Sequence, residues 1–329
     1  MRSRRIAEDN SPETMKIRYL FIIVLLVCGG RDALGQTPRT ASEFNDRGSQ
    51  RQLNGDLEGA VADYTKALSL ESNFAQAYFN RATARYAQRN VKDARADYDK
   101  AILINSRYAE AYLGRGTVRA AQKDFDGSNA DYNEALRINP GYAEAYYGRC
   151  LNRYLEGDFD QAISDCSKAL EINPRYADAF HNRGIARYGK GDFAEAIADY
   201  NRALEIDPNM ANGYYNRGLA RYRQKAVEGA IADYNKALKL DPRLTEAYYG
   251  RGVAREHTGD LAAAVADYSR VLELDPKYAE VLAKRGAVNA IRGNNPEAEL
   301  DFQRAFAIDP KLRTQYSGFI EKHHLKIRP

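Results

Sequence analysis

The 329-residue sequence contains no tryptophan, three cysteines and four histidines. These residues form neither a Cys-x-x-Cys nor a His-Glu-x-x-His motif. Because a structural zinc site needs about four soft ligands, we expect no metal site, and nothing indicates another cofactor. A glycine-rich phosphate loop and a paired nucleophile and base are also missing, which argues against an enzyme.

A strong excess of one charge is absent too. The formal net charge is +4, and residues 1–35 hold six basic and four acidic residues, which leaves only +2 for the remainder. Proteins that bind nucleic acid usually carry clustered positive charge. We therefore expect no nucleic-acid partner.

The apolar run from Tyr19 to Cys28 is about half the roughly 20 residues that a membrane-spanning helix needs. Basic residues precede the run, and a small-residue step ending at Gly35 follows it. This order is typical of a signal peptide. We predict a signal peptide over residues 1–35, with initiation at Met15 and cleavage between Gly35 and Gln36, and a short linker over residues 36–40. The mature protein would be periplasmic or secreted.

An uncleaved or lipidated leader is the alternative. Cys28 would then carry the lipid, although Val27 before it is larger than the small residue usual in lipoprotein signals. The protein would associate with a membrane only if this leader were retained.

The rest of the chain repeats with a period of 34 residues from Ala41 to Leu312, without an insertion or deletion. Position 4 of the repeat is aromatic in seven segments, position 8 is glycine in six, and position 24 is tyrosine in six. Alanine occupies position 27 in seven segments, and proline closes six of them. The eight segments are 41–74, 75–108, 109–142, 143–176, 177–210, 211–244, 245–278 and 279–312.

These features resemble the tetratricopeptide repeat, a helix–turn–helix unit of the same period with aromatic, small and terminal proline residues at fixed places. The resemblance covers residues 41–312 and implies an all-α fold, a right-handed superhelical solenoid of antiparallel helix hairpins. One hairpin cannot bury its apolar faces alone, so hairpins must stack.

Local signals agree with helix hairpins. Gly157-Asp158 and Gly191-Asp192 mark turns, and Asp158 with Gln161 and Asp192 with Glu195 fit capping boxes. Beyond the repeats, apolar residues at helical spacing from Leu312 to Ile320 predict a capping helix over about residues 313–325, within a C-terminal segment 313–329.

Positions 7 and 11 depart from the family pattern, in which position 7 is usually a large aliphatic residue and position 11 is usually aromatic. Position 7 is arginine and position 23 is aspartate in all eight repeats, and position 11 is arginine in seven. Residues equally distant from the turn of a hairpin lie side by side, so we predict a ladder of Arg–Asp pairs, within a repeat or to its neighbour. The alternative, an anion-binding arginine track, would leave the aspartate column unexplained. Exposed pairs of this kind contribute only about 0–1 kcal/mol each.

The fourth repeat carries cysteine at positions 8 and 24. The same rule places Cys150 beside Cys166, at a Cα separation of roughly 4–5.5 Å that suits a disulfide. Two buried free thiols that fill small-residue positions are the alternative. Export would permit oxidation.

In the family, first helices line a concave groove that holds a peptide, and positions 5, 6, 9 and 12 face it. Tyrosine offers a large contact area, and asparagine can pair with a peptide backbone. Many of these tyrosines would equally suit packing between repeats. The resemblance assigns the following residues to the groove: Phe79, Asn80, Tyr86, Tyr147, Tyr154, His181, Asn182, Tyr188, Tyr215, Asn216, Tyr222 and Tyr249.

We therefore expect a non-catalytic, exported scaffold that binds a protein or peptide segment in its groove. The alternative is an envelope-tethered assembly factor or chaperone-like adaptor, held by a retained leader. Fold alone does not identify the partner.

Overall fold

The computed structural model describes residues 38–327, so the predicted signal peptide, its cleavage site and Cys28 lie outside the described residues. The described part contains helices and no strand. We number the helices in chain order: α1 Ala41–Leu53, α2 Leu57–Leu70, α3 Ala75–Ala87, α4 Val91–Ile104, α5 Ala109–Ala121, α6 Phe125–Ile138, α7 Ala143–Glu156, α8 Phe159–Ile172, α9 Ala177–Lys190, α10 Phe193–Ile206, α11 Ala211–Arg223, α12 Val227–Leu240, α13 Thr245–Thr258, α14 Leu261–Leu274, α15 Ala279–Ile291, α16 Asn295–Ile308 and α17 Lys311–Lys322.

The helices form two compact units. The first, up to Pro174, contains hairpins α1–α2, α3–α4, α5–α6 and α7–α8. The second, from Arg175, contains hairpins α9–α10, α11–α12, α13–α14 and α15–α16, followed by α17. Within each unit, every hairpin packs against the next. The predicted all-α class and tandem helix hairpins are confirmed. None of the helices within residues 38–327 has the length and apolar character of a membrane span.

The turns between paired helices show the predicted glycine and capping interactions only in part. Gly157 ends α7 with φ of 85°, a left-handed conformation that glycine adopts without strain. The side chain of Asp158 then accepts a hydrogen bond from the backbone N–H of Gln161 at 3.2 Å, which caps α8. Asp192 makes no such bond, so the capping box predicted there is wrong. A reciprocal box instead joins Thr40 and Glu43 at the start of α1.

Position 8 is small because the ring at position 24 lies against its backbone. A Cβ atom added to Gly48 would lie 2.7 Å from Cε1 of Tyr64, and one added to Gly218 would lie 2.7 Å from Cε1 of Tyr234. Tyr64 and Tyr234 are each 1% exposed. These tyrosines therefore form the centre of their hairpins, and a side chain in place of Gly48 or Gly218 would displace the ring.

The fourth repeat replaces this glycine–tyrosine contact with a covalent bond. Cys150 on α7 and Cys166 on α8 form a disulfide with a Cα–Cα distance of 5.4 Å, and both residues are fully buried. Of the two alternatives left open by the sequence, the structure contains the disulfide. Closing a loop of this length contributes about 3 kcal/mol in the chain-entropy model.

The arginine at position 7 bonds to the aspartate at position 23 of the same repeat throughout residues 41–312. In the third repeat, Nε of Arg115 donates to Oδ2 of Asp131 at 3.0 Å, and Nη2 donates to Oδ1 at 2.6 Å. Arg119, at position 11, also donates to Asp131 at 2.9 Å. The predicted Arg–Asp ladder is therefore present within each repeat. The eight pairs are Arg47–Asp63, Arg81–Asp97, Arg115–Asp131, Arg149–Asp165, Arg183–Asp199, Arg217–Asp233, Arg251–Asp267 and Arg285–Asp301.

The same guanidinium groups also connect neighbouring repeats. Nη1 of Arg115 donates to Oδ1 of Asp99 at 2.7 Å, and Nη1 of Arg217 donates to Oδ1 of Asn201 at 2.7 Å. Both acceptors occupy position 25 of the preceding repeat. The guanidinium groups of Arg115 and Arg217 thus each join the two helices of their own hairpin to the hairpin before it.

The aspartates of the ladder are buried. The contribution of about 0–1 kcal/mol expected for an exposed pair therefore does not apply to them. Asp131 is 2% exposed, and the side chain of Arg115 is 16% exposed. The guanidinium of Arg115 also lies 5.5 Å from the ring centroid of Tyr112, at position 4. With both arginines bonded to one buried carboxylate, its loss costs much more than the loss of a surface pair.

The C-terminal helix covers the last hairpin. It spans Lys311–Lys322 and so begins two residues before the predicted capping segment. Leu312 is buried, and the rings of Phe302 and Tyr316 lie 5.3 Å apart. The chain then turns back, and Leu325 is buried in the same core. The outer apolar face of α16 is therefore shielded by both the helix and the segment after it.

We predict that Asp131→Asn lowers the free energy of unfolding by about 2–4 kcal/mol, because it removes the buried negative charge that two partly buried guanidinium groups share. Urea denaturation followed by circular dichroism measures this change. Asp126→Asn, at an exposed position of the same repeat, should change stability by less than about 0.5 kcal/mol. Equal effects of the two substitutions would contradict the structural role of the ladder.

We also predict that the peptides carrying Cys150 and Cys166 remain linked when the oxidised protein is denatured and digested without reductant. Mass spectrometry after alkylation with iodoacetamide detects the linked pair, and prior reduction should separate it. Recovery of both cysteines in alkylated form without reduction would rule out the disulfide.

Candidate functional site

The twelve residues assigned to the groove divide evenly between two environments. Half are buried and serve as packing residues: Phe79, Tyr86, Tyr147, His181, Asn182 and Asn216. The other half are partly exposed: Asn80, Tyr154, Tyr188, Tyr215, Tyr222 and Tyr249. Only the second group offers surface to a ligand without a rearrangement of the hairpins. Their role in binding stays a prediction.

In the first unit, side chains of the first two repeats form a chain of hydrogen bonds. The hydroxyl of Tyr108 donates to Oε1 of Gln76 at 2.6 Å, and Nε2 of Gln76 donates to Oδ1 of Asn80 at 2.9 Å. Nδ2 of Asn80 then donates to Oδ1 of Asn45 at 2.9 Å. This chain fixes the amide orientations and lines up polar groups across repeats.

The hydrogen-bond chain ends at Tyr108, which belongs to a group of two phenols, Tyr108 and Tyr142, and two carboxylates, Glu110 and Glu144. Burial raises the pKa of the Tyr108 hydroxyl, and the nearby Glu110 carboxylate raises it further. Burial likewise raises the pKa of Tyr142, with Glu110 and then Glu144 adding to the effect. All four residues are partly exposed. At neutral pH the two phenols are thus neutral donors beside two carboxylates.

In the second unit, His181 links the first helices of the fifth and sixth repeats. Its Nε2 atom lies 3.0 Å from Nδ2 of Asn216 and accepts from that amide, so the proton sits on Nδ1. Its ring lies 5.7 Å from that of Tyr200. Burial lowers the pKa of His181 to about 4, although a hydrogen bond with the Asn212 backbone opposes this shift. A buried, neutral histidine of this kind packs the hairpins together.

The tyrosines farther along the second unit contact one another. The rings of Tyr249 and Tyr278 are stacked at 6.3 Å, and the rings of Tyr215 and Tyr234 are 6.1 Å apart. Burial, and then Glu246, raises the pKa of Tyr215. This aromatic surface can bind apolar and hydrogen-bonding groups, but it places no nucleophile beside a base.

Within residues 38–327, no three side chains of histidine, cysteine, aspartate or glutamate are grouped so that they could hold a metal ion. The arginine columns are bonded to the buried aspartates and to position 25. The first helices can therefore offer phenols, amides and carboxylates to a ligand.

The sequence analysis missed two columns that line this surface. Position 34 supplies Tyr108 and Tyr142, and position 2 supplies Gln76, Glu110 and Glu144. The aromatic recurrence at position 34 was visible in the sequence. It lies outside the first helix, however, at the residue just before it, and only the backbone shows that its side chain turns toward Gln76.

Comparisons with known families match repeats along most of the chain. A family model described as "TPR repeat" matches residues 53–89, 186–225 and 222–259. One described as "Tetratricopeptide repeat" matches residues 143–176 and 245–278, and another with that description matches residues 79–143. No curated protein matches the sequence.

Solved structures show the same fold. A tetratricopeptide repeat protein from Parabacteroides merdae is 20% identical, with a TM-score of 0.56 over 73% of this chain and 95% of that chain. The C-terminal part of a TPR repeat-containing protein from Cytophaga hutchinsonii is 19% identical, with a TM-score of 0.57 over 73% of this chain and 98% of that one. YrrB, described as "a TPR protein with an unusual peptide-binding site", is 25% identical, with a TM-score of 0.48 over 56% of this chain and 95% of its own.

The neutral state of His181 predicts a pH dependence of stability. The pKa of His181 is about 4 in the folded state, below the ordinary value of 6.5. Between these two pH values the folded protein therefore binds fewer protons than the unfolded protein. Its contribution is complete above pH 6.5 and is lost as the pH falls toward 4, a change on the order of 3 kcal/mol.

Urea midpoints between pH 7.5 and 4.5 measure this loss. His181→Gln, which cannot ionise, should show a shallower decline than the original protein over this interval. His257→Gln, at an exposed position, should retain the original slope. Parallel pH profiles for the original protein and His181→Gln would contradict the assignment.

Proposed function

Because this chain belongs to the tetratricopeptide repeat family, we propose that it is a non-catalytic interaction scaffold that binds a segment of another protein along its first helices. Proteins of this family serve in protein interaction, and the repeats account for residues 41–312 of the chain. No segment of that range remains for a separate catalytic domain.

The observation that carries the proposal is the set of partly exposed tyrosine and amide side chains on the first helices. Tyr154 and Tyr222 each occupy position 12 and present a phenol at the surface of their hairpin. Tyrosine loses little conformational entropy on binding and combines an apolar ring with a polar tip. Such a surface suits an extended or helical protein segment better than a small molecule, which requires a closed pocket.

We further propose that the protein acts outside the cytoplasm. The basic start, the apolar run to Cys28 and the small residues before Gln36 support a cleaved signal peptide. The disulfide between Cys150 and Cys166 fits an oxidising compartment. The second candidate, a tethered assembly factor or adaptor, draws its support from Cys28, which could carry a lipid if the leader were retained.

Site-specific photo-cross-linking tests the binding surface. We expect benzoylphenylalanine at Tyr154 or at Tyr222 to capture a partner protein in cells, because both side chains lie on first helices. The same probe at Lys100, exposed on the second helix α4, should not capture that partner. Capture of the same partner from Lys100 alone would place the binding surface elsewhere.

Cell fractionation and N-terminal sequencing test export. We expect a mature protein that begins at Gln36 and is released by osmotic shock. A protein that stays in the membrane pellet after a salt wash and retains Cys28 would favour the tethered alternative. Recovery of the full chain in the cytoplasm would contradict both.

A further inference from the structure

On the first helices of the first unit, the charged residues of the face that we propose for binding all have the same sign. At positions 2, 5, 6, 9 and 12 of the first four repeats, the charged residues are Asp46, Glu110 and Glu144. The chain as a whole carries a formal charge of +4. Its arginines at positions 7 and 11 of these repeats are bonded to the buried aspartates instead. This face is therefore acidic although the protein is not.

Two of these carboxylates, Glu110 and Glu144, lie in the first turns of α5 and α7, directly after Tyr108 and Tyr142. We give the name first-unit strip to Asn45, Gln76, Asn80, Tyr108, Glu110, Tyr142 and Glu144. Hydrogen bonds connect its amide end, from Asn45 to Tyr108. Glu110 follows two residues after Tyr108, in the first turn of α5, and its carboxylate raises the pKa of both Tyr108 and Tyr142.

The two glutamates of the strip have no ion pair with any residue in the described range of the chain. Both are partly buried, and their carboxylates raise the pKa of neighbouring phenols, Glu110 that of Tyr108 and Tyr142 and Glu144 that of Tyr142. Glu58 and Asp126 also occupy the first turn of a helix, where a negative charge is favourable, but those two side chains are exposed. The helix dipole thus explains an acidic residue at the start of a helix, but not the partial burial of Glu110 and Glu144.

A basic side chain of a partner protein would provide the opposite charge for these two carboxylates. Its charge would pair with a carboxylate in a setting less hydrated than open solvent, where such a pair is stronger. Its aliphatic stem would lie along a tyrosine ring, and the ring face of Tyr142 can attract the cation. The amide end offers donors and acceptors that suit an extended peptide backbone. Nucleic acid, which is an anion, would be repelled by the same carboxylates.

We propose that the first-unit strip binds an extended segment of a partner protein that carries lysine or arginine side chains, with Glu110 and Glu144 each pairing with one of them. This inference rests on the proposed function and adds the charge of the partner. Because the two glutamates lie one repeat apart in the sequence, a matching segment needs at least two basic residues.

Binding of an array of twelve-residue peptides to the full chain tests the inference. Each parent peptide contains two or three lysine or arginine residues within a mixed apolar sequence, and is printed beside a version with glutamine and a version with glutamate at those places. The chain should bind the best basic peptides at least about tenfold more tightly than their glutamine versions, and high salt should weaken this preference. Fluorescence anisotropy with labelled copies of selected peptides gives the dissociation constants.

Variants separate the charge from the fold. The double variant Glu110→Gln, Glu144→Gln should lose about tenfold in affinity for basic peptides and should bind glutamine versions as before. The matched control Glu58→Gln, Asp126→Asn removes two first-turn carboxylates from exposed second-helix positions in the same unit, and should bind like the original chain. Urea denaturation of each variant checks that the fold is intact.

Three results would overturn the inference in different ways. Equal binding of basic and glutamine versions, weakened by Tyr142→Ala, would contradict the basic partner and leave the interaction scaffold standing. Failure of every peptide to bind, together with an absence of cross-links from the first helices, would contradict the scaffold as well. Retention of the basic preference in the Glu110, Glu144 variant would also contradict the assignment to these residues.

Discussion

The guanidinium fork at position 7 is the interaction on which the rest of the structure depends. In the third repeat, Arg115 bonds to Asp131 on the second helix of its own hairpin and to Asp99 in the repeat before it. A planar group with five donors suits three acceptors in fixed directions, which a lysine could not reproduce. The fork therefore sets the height of one helix against its partner and the register of one hairpin against the next. Its buried carboxylate makes that register costly to change.

The forks also determine what the first helices can present. Since the arginines at positions 7 and 11 are turned toward the paired helix, the remaining positions of the first helix carry tyrosines, amides and carboxylates. Within residues 38–174, Glu110 and Glu144 form no ion pair, and the hydrogen-bond chain from Tyr108 to Asn45 begins two residues before Glu110. The arginine columns thus stabilise the hairpins, and the face that we propose for binding in the first unit carries only acidic charges.

The disulfide of the fourth repeat is a local substitute for the packing used elsewhere. In other repeats a tyrosine at position 24, such as Tyr64, lies on the backbone of a glycine at position 8. Cys150 and Cys166 occupy the same pair of positions, so their Cα atoms already approach to 5.4 Å. The hairpin geometry that requires glycine in one repeat therefore permits a disulfide in another.

Periodicity predicted the helix hairpins, the Arg–Asp pairing and the proximity of the two cysteines. Both pairings depend only on how far each residue lies from the turn of its hairpin. It did not predict that Asp131 is buried, since burial depends on the side chains of three helices together. The same reason explains why Phe79 and Tyr147 are buried, whereas Tyr154 is partly exposed. Capping by Asp192 was mispredicted because a suitable residue type does not fix the side-chain rotamer.

A double-mutant cycle between Arg217 and Asp233 tests most directly whether the fork is structural. The free energies of unfolding would be measured for Arg217→Gln, for Asp233→Asn, for the double variant and for the original chain. Because the two groups are bonded in a partly buried site, the account predicts a coupling energy of about 1–3 kcal/mol. Additivity within about 0.3 kcal/mol would mean that the two columns stabilise the hairpin independently, and would contradict the account.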